Sequence, residues 1–222
     1  MTSPSSPTPV EIPARTVTLP GELALPAQPR GIVLFAHGSD SSRRSPRNRF
    51  VARTLGDGGM GTLLFDLLTP VEDRTFETRF DIPLLTSRLA AATHWVQREP
   101  ALATLPIGYF GASTGAAAAL AAAADFGKSI AAVVSRGGRP DLAGSAALER
   151  VSAATLLIVG GQDPAVIRLN RAAYDGLACE KALHIVPGAT HLFEEPGAIE
   201  QVAAAASAWF QRWLVPRRNE SR

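Results

Sequence analysis

At 222 residues and 46% hydrophobic content, the chain is long enough to bury one substantial core. Its net charge is only +2, arginine supplies nearly all the positive charge beside Lys128 and Lys181, and no basic stripe is interleaved with aromatics, so no nucleic-acid partner is expected. Cys179 stands alone, which excludes an intrachain disulfide and a thiolate metal cluster, and no apolar run approaches the ~18 residues of a spanning helix. A cytoplasmic protein without a membrane partner is therefore expected.

Residues 1–15 are rich in Ser, Pro and Thr and lack the apolar centre of a signal peptide, so they read as a disordered tail. Residues 16–25 read as one or two short strands around a turn at Pro20-Gly21. Apolar runs of strand length follow at 31–36, 61–67, 106–110, 129–135, 155–160 and 182–186. Because these runs are apolar on both faces, they suit parallel strands covered on two sides. Helical patterns alternate with them at 45–56, 83–97, 114–126, 140–148, 165–177 and 197–214, and residues 216–222 form a basic tail. The order predicts an α/β fold, a doubly wound and mostly parallel sheet with helices on both faces, forming one domain over 16–215. The loop 68–81 follows the second parallel strand, where open sheets place their ligands, and reads either as a pocket wall or lid or as a solvated charged loop.

Chemistry is concentrated at Gly111-Ala112-Ser113-Thr114-Gly115, between an apolar strand and an alanine-rich helix. The glycines allow a sharp strand-to-helix turn that exposes Ser113, and the helix start favours developing negative charge. A serine hydroxyl needs a positioned base. Of four histidines, His94 lies mid-helix, His184 inside a strand expected to be buried, and His37 at a strand end where orienting backbone is the better role. His191 lies in a loop directly after the last strand and is the candidate base. Asp163 follows the strand at 155–160 and can orient His191, although an Asp before Pro164 is also a good helix N-cap; Asp66 and Asp141 are weaker acid candidates. Glu194 and Glu195 are too close in sequence to reach behind His191. The backbone amides of Thr114 and Ser39 are the candidate oxyanion donors.

Together the segments FAHGS (35–39), GASTG (111–115), GGQDP (160–164) and GATH (188–191) resemble the α/β-hydrolase fold and, within it, the dienelactone hydrolase family. The resemblance covers nearly the whole chain after the tail. It implies a serine hydrolase of small-molecule esters or lactones with Ser113, Asp163 and His191 as its triad and no cofactor. Cysteine is the nucleophile in dienelactone hydrolases proper, so serine here favours general ester cleavage. Thioester or amide hydrolysis on the same triad, or a non-catalytic small-ligand module, are the alternatives. The stretch 41–52 is also similar to hydrolases found fused to phosphoribosyltransferases, with no such partner domain expected in this sequence. Arg43, Arg44, Arg47, Arg136 and Arg139 lie near strand ends on the same side. Either Arg136, together with Arg47, binds a substrate carboxylate or phosphate, or these arginines pair acids such as Asp66, Glu72 or Asp73. Oligomeric state is not set by the sequence.

Overall fold

The computed structural model describes residues 6–39 and 41–215. Its strands are β1 (Thr8–Ala14), β2 (Val17–Ala24), β3 (Ile32–Ala36), β4 (Gly61–Phe65), β5 (Ile107–Ala112), β6 (Ile130–Arg136), β7 (Ala154–Gly160) and β8 (Lys181–Val186). They form one sheet in the order β1-β2-β4-β3-β5-β6-β7-β8. The pairings β3-β4, β3-β5, β5-β6, β6-β7 and β7-β8 are parallel, and β1-β2 and β2-β4 antiparallel.

The helices are α1 (Pro46–Asp57), α2 (Ile82–Arg98), α3 (Thr114–Phe126), α4 (Ser145–Arg150), α5 (Pro164–Gly176) and α6 (Ala198–Trp213). Alternation along the strands divides the core into two. Ile32, Leu34 and Ala36 face a cluster with α2, α3, α4 and α5, whereas Val33 and Phe35 face one with α1 and α6. The mostly parallel sheet covered on both faces is thus the arrangement that the doubly apolar runs predict. In the last helix, Val202, Ala206, Trp209 and Phe210 recur at helical spacing and are buried in the second cluster.

Three local expectations need correction. The disordered tail gives way to strand β1, which escapes a search for apolar runs because only Ile12 and Ala14 are buried while Thr8, Pro9, Glu11 and Pro13 are exposed. An edge strand tolerates those prolines, whose missing N–H groups can face solvent. Residues 1–5 of that tail, and the basic tail at 216–222, lie outside the described residues. No turn forms at Pro20-Gly21: β2 runs through it, with Pro20 beside Glu11 and Gly21 beside both Val10 and Phe65. The chain reverses instead at Arg15, whose φ is 56°. Last, the helix expected at 140–148 is a 3-10 turn, Pro140–Ala143, and then α4, separated by Gly144 at φ 81°.

The order of the strands reverses between β3 and β5. Open α/β sheets bind ligands at such a switch point, outside the carboxyl ends of the strands. Ser113 follows the end of β5 directly, and Ser39 stands three residues past the end of β3.

Candidate active site

Ser113 turns the chain from β5 into α3 with φ 51° and ψ −121°, a conformation that L-residues rarely adopt. Such a residue costs about 1–3 kcal/mol and persists only when its surroundings over-determine it. Here the Ser113 N–H donates to the Arg136 carbonyl at 3.2 Å, and its own carbonyl accepts from Ala116 and Arg139 N–H, both at 3.1 Å. Gly115 allows the approach of β3: a Cβ there would stand 2.1 Å from the Ala36 oxygen and 2.4 Å from the His37 oxygen.

Asp163 does two jobs with its two oxygens. Oδ1 accepts from the Val166 N–H at 3.2 Å and caps α5, while Oδ2 lies 2.9 Å from His191 Nδ1. Asp163 thus caps α5 and pairs with His191 at once. A carboxylate only accepts, so Nδ1 carries the hydrogen and Nε2 of a neutral ring is left as the basic nitrogen. His191 belongs to the loop after β8, and a Cβ on Gly137 would lie 3.5 Å from its Cε1. Its ring therefore rests beside the end of β6, the strand that carries the Arg136 carbonyl holding the Ser113 amide.

The other histidines are elsewhere. His94 is exposed on α2, with its ring 5.1 Å from Phe126. His184 is only half-buried, because β8 is an edge strand and not a covered one as its apolar sequence suggests. His37 is the orienting group its position predicts: Nε2 accepts from the Leu67 N–H at 2.9 Å, so Nδ1 carries the hydrogen and donates to the Gly38 carbonyl at 2.9 Å. Burial lowers its pKa, against weaker opposing effects of the Gly38 carbonyl, Asp66 and Asp73. The unfolded chain, ordinary near 6.5, takes up a proton first as pH falls, so His37 contributes stability that is lost from about pH 6.5 downward. Urea midpoints measured across that range should fall less steeply in His37→Gln than in the wild type.

Fixing the Gly38 carbonyl also orients the following peptide. The Ser39 N–H donates to Thr114 Oγ1 at 3.0 Å, so the structure brings the two candidate oxyanion donors together, with the Ser39 proton engaged by the Thr114 hydroxyl. Thr114 is itself 1% exposed, and its amide belongs to the first turn of α3, where N–H groups lack intrahelical partners.

The loop 68–81 folds into two 3-10 turns, Glu72–Arg74 and Glu77–Phe80. With Leu68, Asp73 and Arg79 it walls a small crevice that also touches His37, Gly38, Ser39 and Thr114. Glu72 anchors it by accepting from the Thr69 N–H at 2.8 Å and from Arg88 Nη2 at 2.6 Å, and Arg88 also reaches the Ala14 carbonyl at 3.0 Å. Partial burial opposes ionisation of Glu72, yet these donors hold its carboxyl below the usual range. The outer side exposes Val71, Phe76 and Phe80. A second groove, about 490 Å³, lies between β2, β4 and α1 and is lined by none of the candidate catalytic residues.

Three of the five arginines near the strand ends pair acids. Arg43 binds Asp66, Arg139 binds Asp141 at 2.8 Å and Arg47 binds Glu194 at 2.5 Å, a carboxylate the sequence did not single out as its partner. Glu195 accepts from the Thr190 hydroxyl at 2.6 Å. Arg136 is different. It is 8% exposed, its Nε has no hydrogen-bond partner among the described residues, and its guanidinium lies 5.7 Å from the centre of the Phe193 ring. Burial, with the nearby Arg47 charge, lowers its pKa to about 10.

Among the described residues no helix is long and apolar enough to cross a membrane. The chain is 53% identical to a dienelactone hydrolase from Anabaena variabilis, with a TM-score of 0.92 over 95% of this chain and 99% of that one. It resembles Est1E from Butyrivibrio proteoclasticus in fold, at 16% identity and a TM-score of 0.79 over 94% of this chain and 98% of that one. A Mycobacterium tuberculosis protein (strain H37Rv) provisionally named phosphoribosyl transferase Rv0571c is 58% identical over 201 residues, which are 90% of this chain. The chain spans about half, 45%, of the length of that relative. The model of the dienelactone hydrolase family matches residues 70–215, a stretch that holds Ser113, Asp163 and His191, and the chain belongs to that family.

Proposed function

We propose that the protein is a serine hydrolase of small-molecule carboxylic esters. Ser113 Oγ attacks the ester carbonyl as His191 Nε2 takes its proton, and Asp163 holds the imidazole and stabilises the imidazolium. The tetrahedral oxyanion is met by the Thr114 amide and by the Ser39 amide, which it shares with the Thr114 hydroxyl. Collapse returns the proton from His191 to the departing alkoxide and leaves an acyl-Ser113. Water, deprotonated by His191, then attacks the acyl carbon and releases the acid.

The observation that carries this reading is the 2.9 Å pairing of His191 Nδ1 with Asp163 Oδ2, taken with a serine held at φ 51° where β5 turns into α3. Family membership and the likeness to the Anabaena variabilis dienelactone hydrolase support hydrolysis in general. The phosphoribosyl transferase name belongs to a relative about twice as long, and the 201 residues shared with it overlap the stretch that the hydrolase model matches.

Incubation with a fluorophosphonate, followed by peptide mass spectrometry, should place the adduct on Ser113; an unlabelled protein, or an adduct on another residue, overturns the reading. Asp163→Asn keeps a good helix cap but loses the acceptor that fixes the histidine tautomer. It should lower kcat by roughly 10³–10⁴-fold while the urea midpoint hardly moves. A merely structural Asp163 would show the reverse, lost stability and retained turnover.

A further inference from the structure

Thr114 opens α3 and is buried. Inside a helix a threonine hydroxyl commonly donates to the carbonyl one turn earlier, but one turn before Thr114 the chain is strand β5. Thr114 Oγ1 instead accepts from the Ser39 N–H at 3.0 Å, and among the described residues nothing accepts the proton of that hydroxyl. A buried hydroxyl that accepts without donating leaves its donor unused, which in a native structure asks for a reason. A Cβ on Gly38 would stand 2.9 Å from Ser113 Cβ and 3.0 Å from the Ala112 oxygen, so the chain after β3 presses on the turn that carries the candidate nucleophile. Ser39 and Thr114 also line the small crevice beside the loop 68–81. The hydroxyl is therefore pinned by its oxygen where these segments meet, and its hydrogen is left for whatever enters.

Resting on the ester-hydrolase reading above, we propose that the Thr114 hydroxyl is a further catalytic group, a side-chain donor that bonds the oxyanion formed when Ser113 attacks, beside the amide of the same residue. The peptide that holds it is itself polarised from behind. Its carbonyl, that of Gly38, accepts the His37 Nδ1 hydrogen at 2.9 Å, and His37 Nε2 accepts the Leu67 N–H at 2.9 Å. Bonds in such a chain strengthen one another, by roughly 10–30% each, so the Ser39 N–H makes the Thr114 hydroxyl a better donor while fixing its oxygen. His37 acts through this chain as a positioning residue. A developing oxyanion accepts more strongly than the neutral carbonyl of the substrate, so the bond lowers the barrier and does little to tighten the ground state.

Thr114→Val tests this, because it keeps the shape and the backbone amide and deletes only the hydroxyl. It should lower kcat for p-nitrophenyl acetate by roughly 10²-fold or more with KM little changed, and Thr114→Ser, which restores the hydroxyl, should recover most of the loss. The matched thionoester, O-p-nitrophenyl thionoacetate, puts sulfur where the carbonyl oxygen was. Sulfur is a weak acceptor, so the wild type should prefer the oxygen ester, and Thr114→Val should cut that preference roughly tenfold. A threonine that merely braced the turn at Ser113 would, when lost, slow both esters alike. A crystal structure of Thr114→Val should show residues 37–39 in place; a displaced loop would assign the loss to the Ser39 amide and overturn the proposal. If Thr114→Val does not fold, Thr114→Ala, which lacks the same hydroxyl with less bulk, carries the comparison.

Equal losses on the two esters, or a loss that Thr114→Ser does not recover, overturns the donor role. So does a Thr114→Val that is faster than wild type, since the hydroxyl would then be a competitor for the Ser39 amide. Fluorophosphonate labelling keeps this proposal apart from the reading it rests on. A wild type labelled at Ser113, with a Thr114→Val that turns over equally well, defeats the hydroxyl alone. A wild type that neither labels nor turns over ester defeats both.

Discussion

Ser113→Ala is expected to lower kcat/KM for p-nitrophenyl acetate by roughly 10⁴–10⁶-fold. The change removes the attacking oxygen and nothing that holds the turn, since Ser113 is fixed through its backbone, by the Arg136 carbonyl on one side and the Ala116 and Arg139 amides on the other. The variant should fold and melt as the wild type does. Ser113→Gly separates strain from chemistry. Glycine adopts φ 51° without penalty, so this variant should be equally inactive yet more stable by about 1 kcal/mol, part of the strain cost returned. Activity in Ser113→Ala within tenfold of wild type would remove Ser113 from the mechanism, and a destabilised glycine variant would contradict the account of the strained turn.

Gly115→Ala is expected to have the largest effect on stability of any single methyl addition in the site. Its new carbon would stand 2.1 Å and 2.4 Å from two carbonyl oxygens of the β3 end, Ala36 and His37. Neither is the tip of a flexible side chain. Relief requires α3 to lift away from β3, and α3 is walled in by the α2 and β5 side of the core. A cost of about 3 kcal/mol or more follows, a large share of the roughly 5–15 kcal/mol that holds such a domain together. Urea denaturation reads it directly, and a midpoint matching wild type would show that the close approach is softer than described. Any folded fraction should also turn over slowly, because the lift displaces the Thr114 amide.

The parallel strands and the placement of Ser113, Asp163 and His191 after strand ends were legible in the sequence for a shared reason. A strand covered on both faces must be apolar at successive positions, and the residues directly following such runs fall on one edge of the sheet. Where burial is one-sided this signal vanishes. Strand β1 buries only Ile12 and Ala14, and so looks like a polar, proline-rich tail. Pro20-Gly21 has the chemistry of a turn, but between two partner strands the Pro20 carbonyl accepts from the Asp66 N–H at 3.2 Å and the strand continues. Side-chain pairing was less legible still. That Arg47 meets Glu194, that Arg88 ties Glu72 to the end of β1, and that the Thr114 hydroxyl takes the Ser39 proton all depend on long-range proximity that no spacing rule encodes. Glu194 is near His191 in sequence, but its place opposite α1 is set by the fold of the loop.

The alanines of α3 have a bearing on how the protein can vary. Ala116, Ala117, Ala118, Ala119, Ala122 and Ala123 are all completely buried. The helix they build is rigidly joined to Ser113 at its first turn, so its distance from the sheet is set by single methyl groups, as a shim sets the height of a machined part. One valine in place of Ala118 or Ala122, a full turn or more from Ser113, would raise the shim and carry Ser113 with it. Loops such as 68–81 are thus free to change, whereas the buried side of α3 behaves as a fixed reference against which the other candidate catalytic groups are measured.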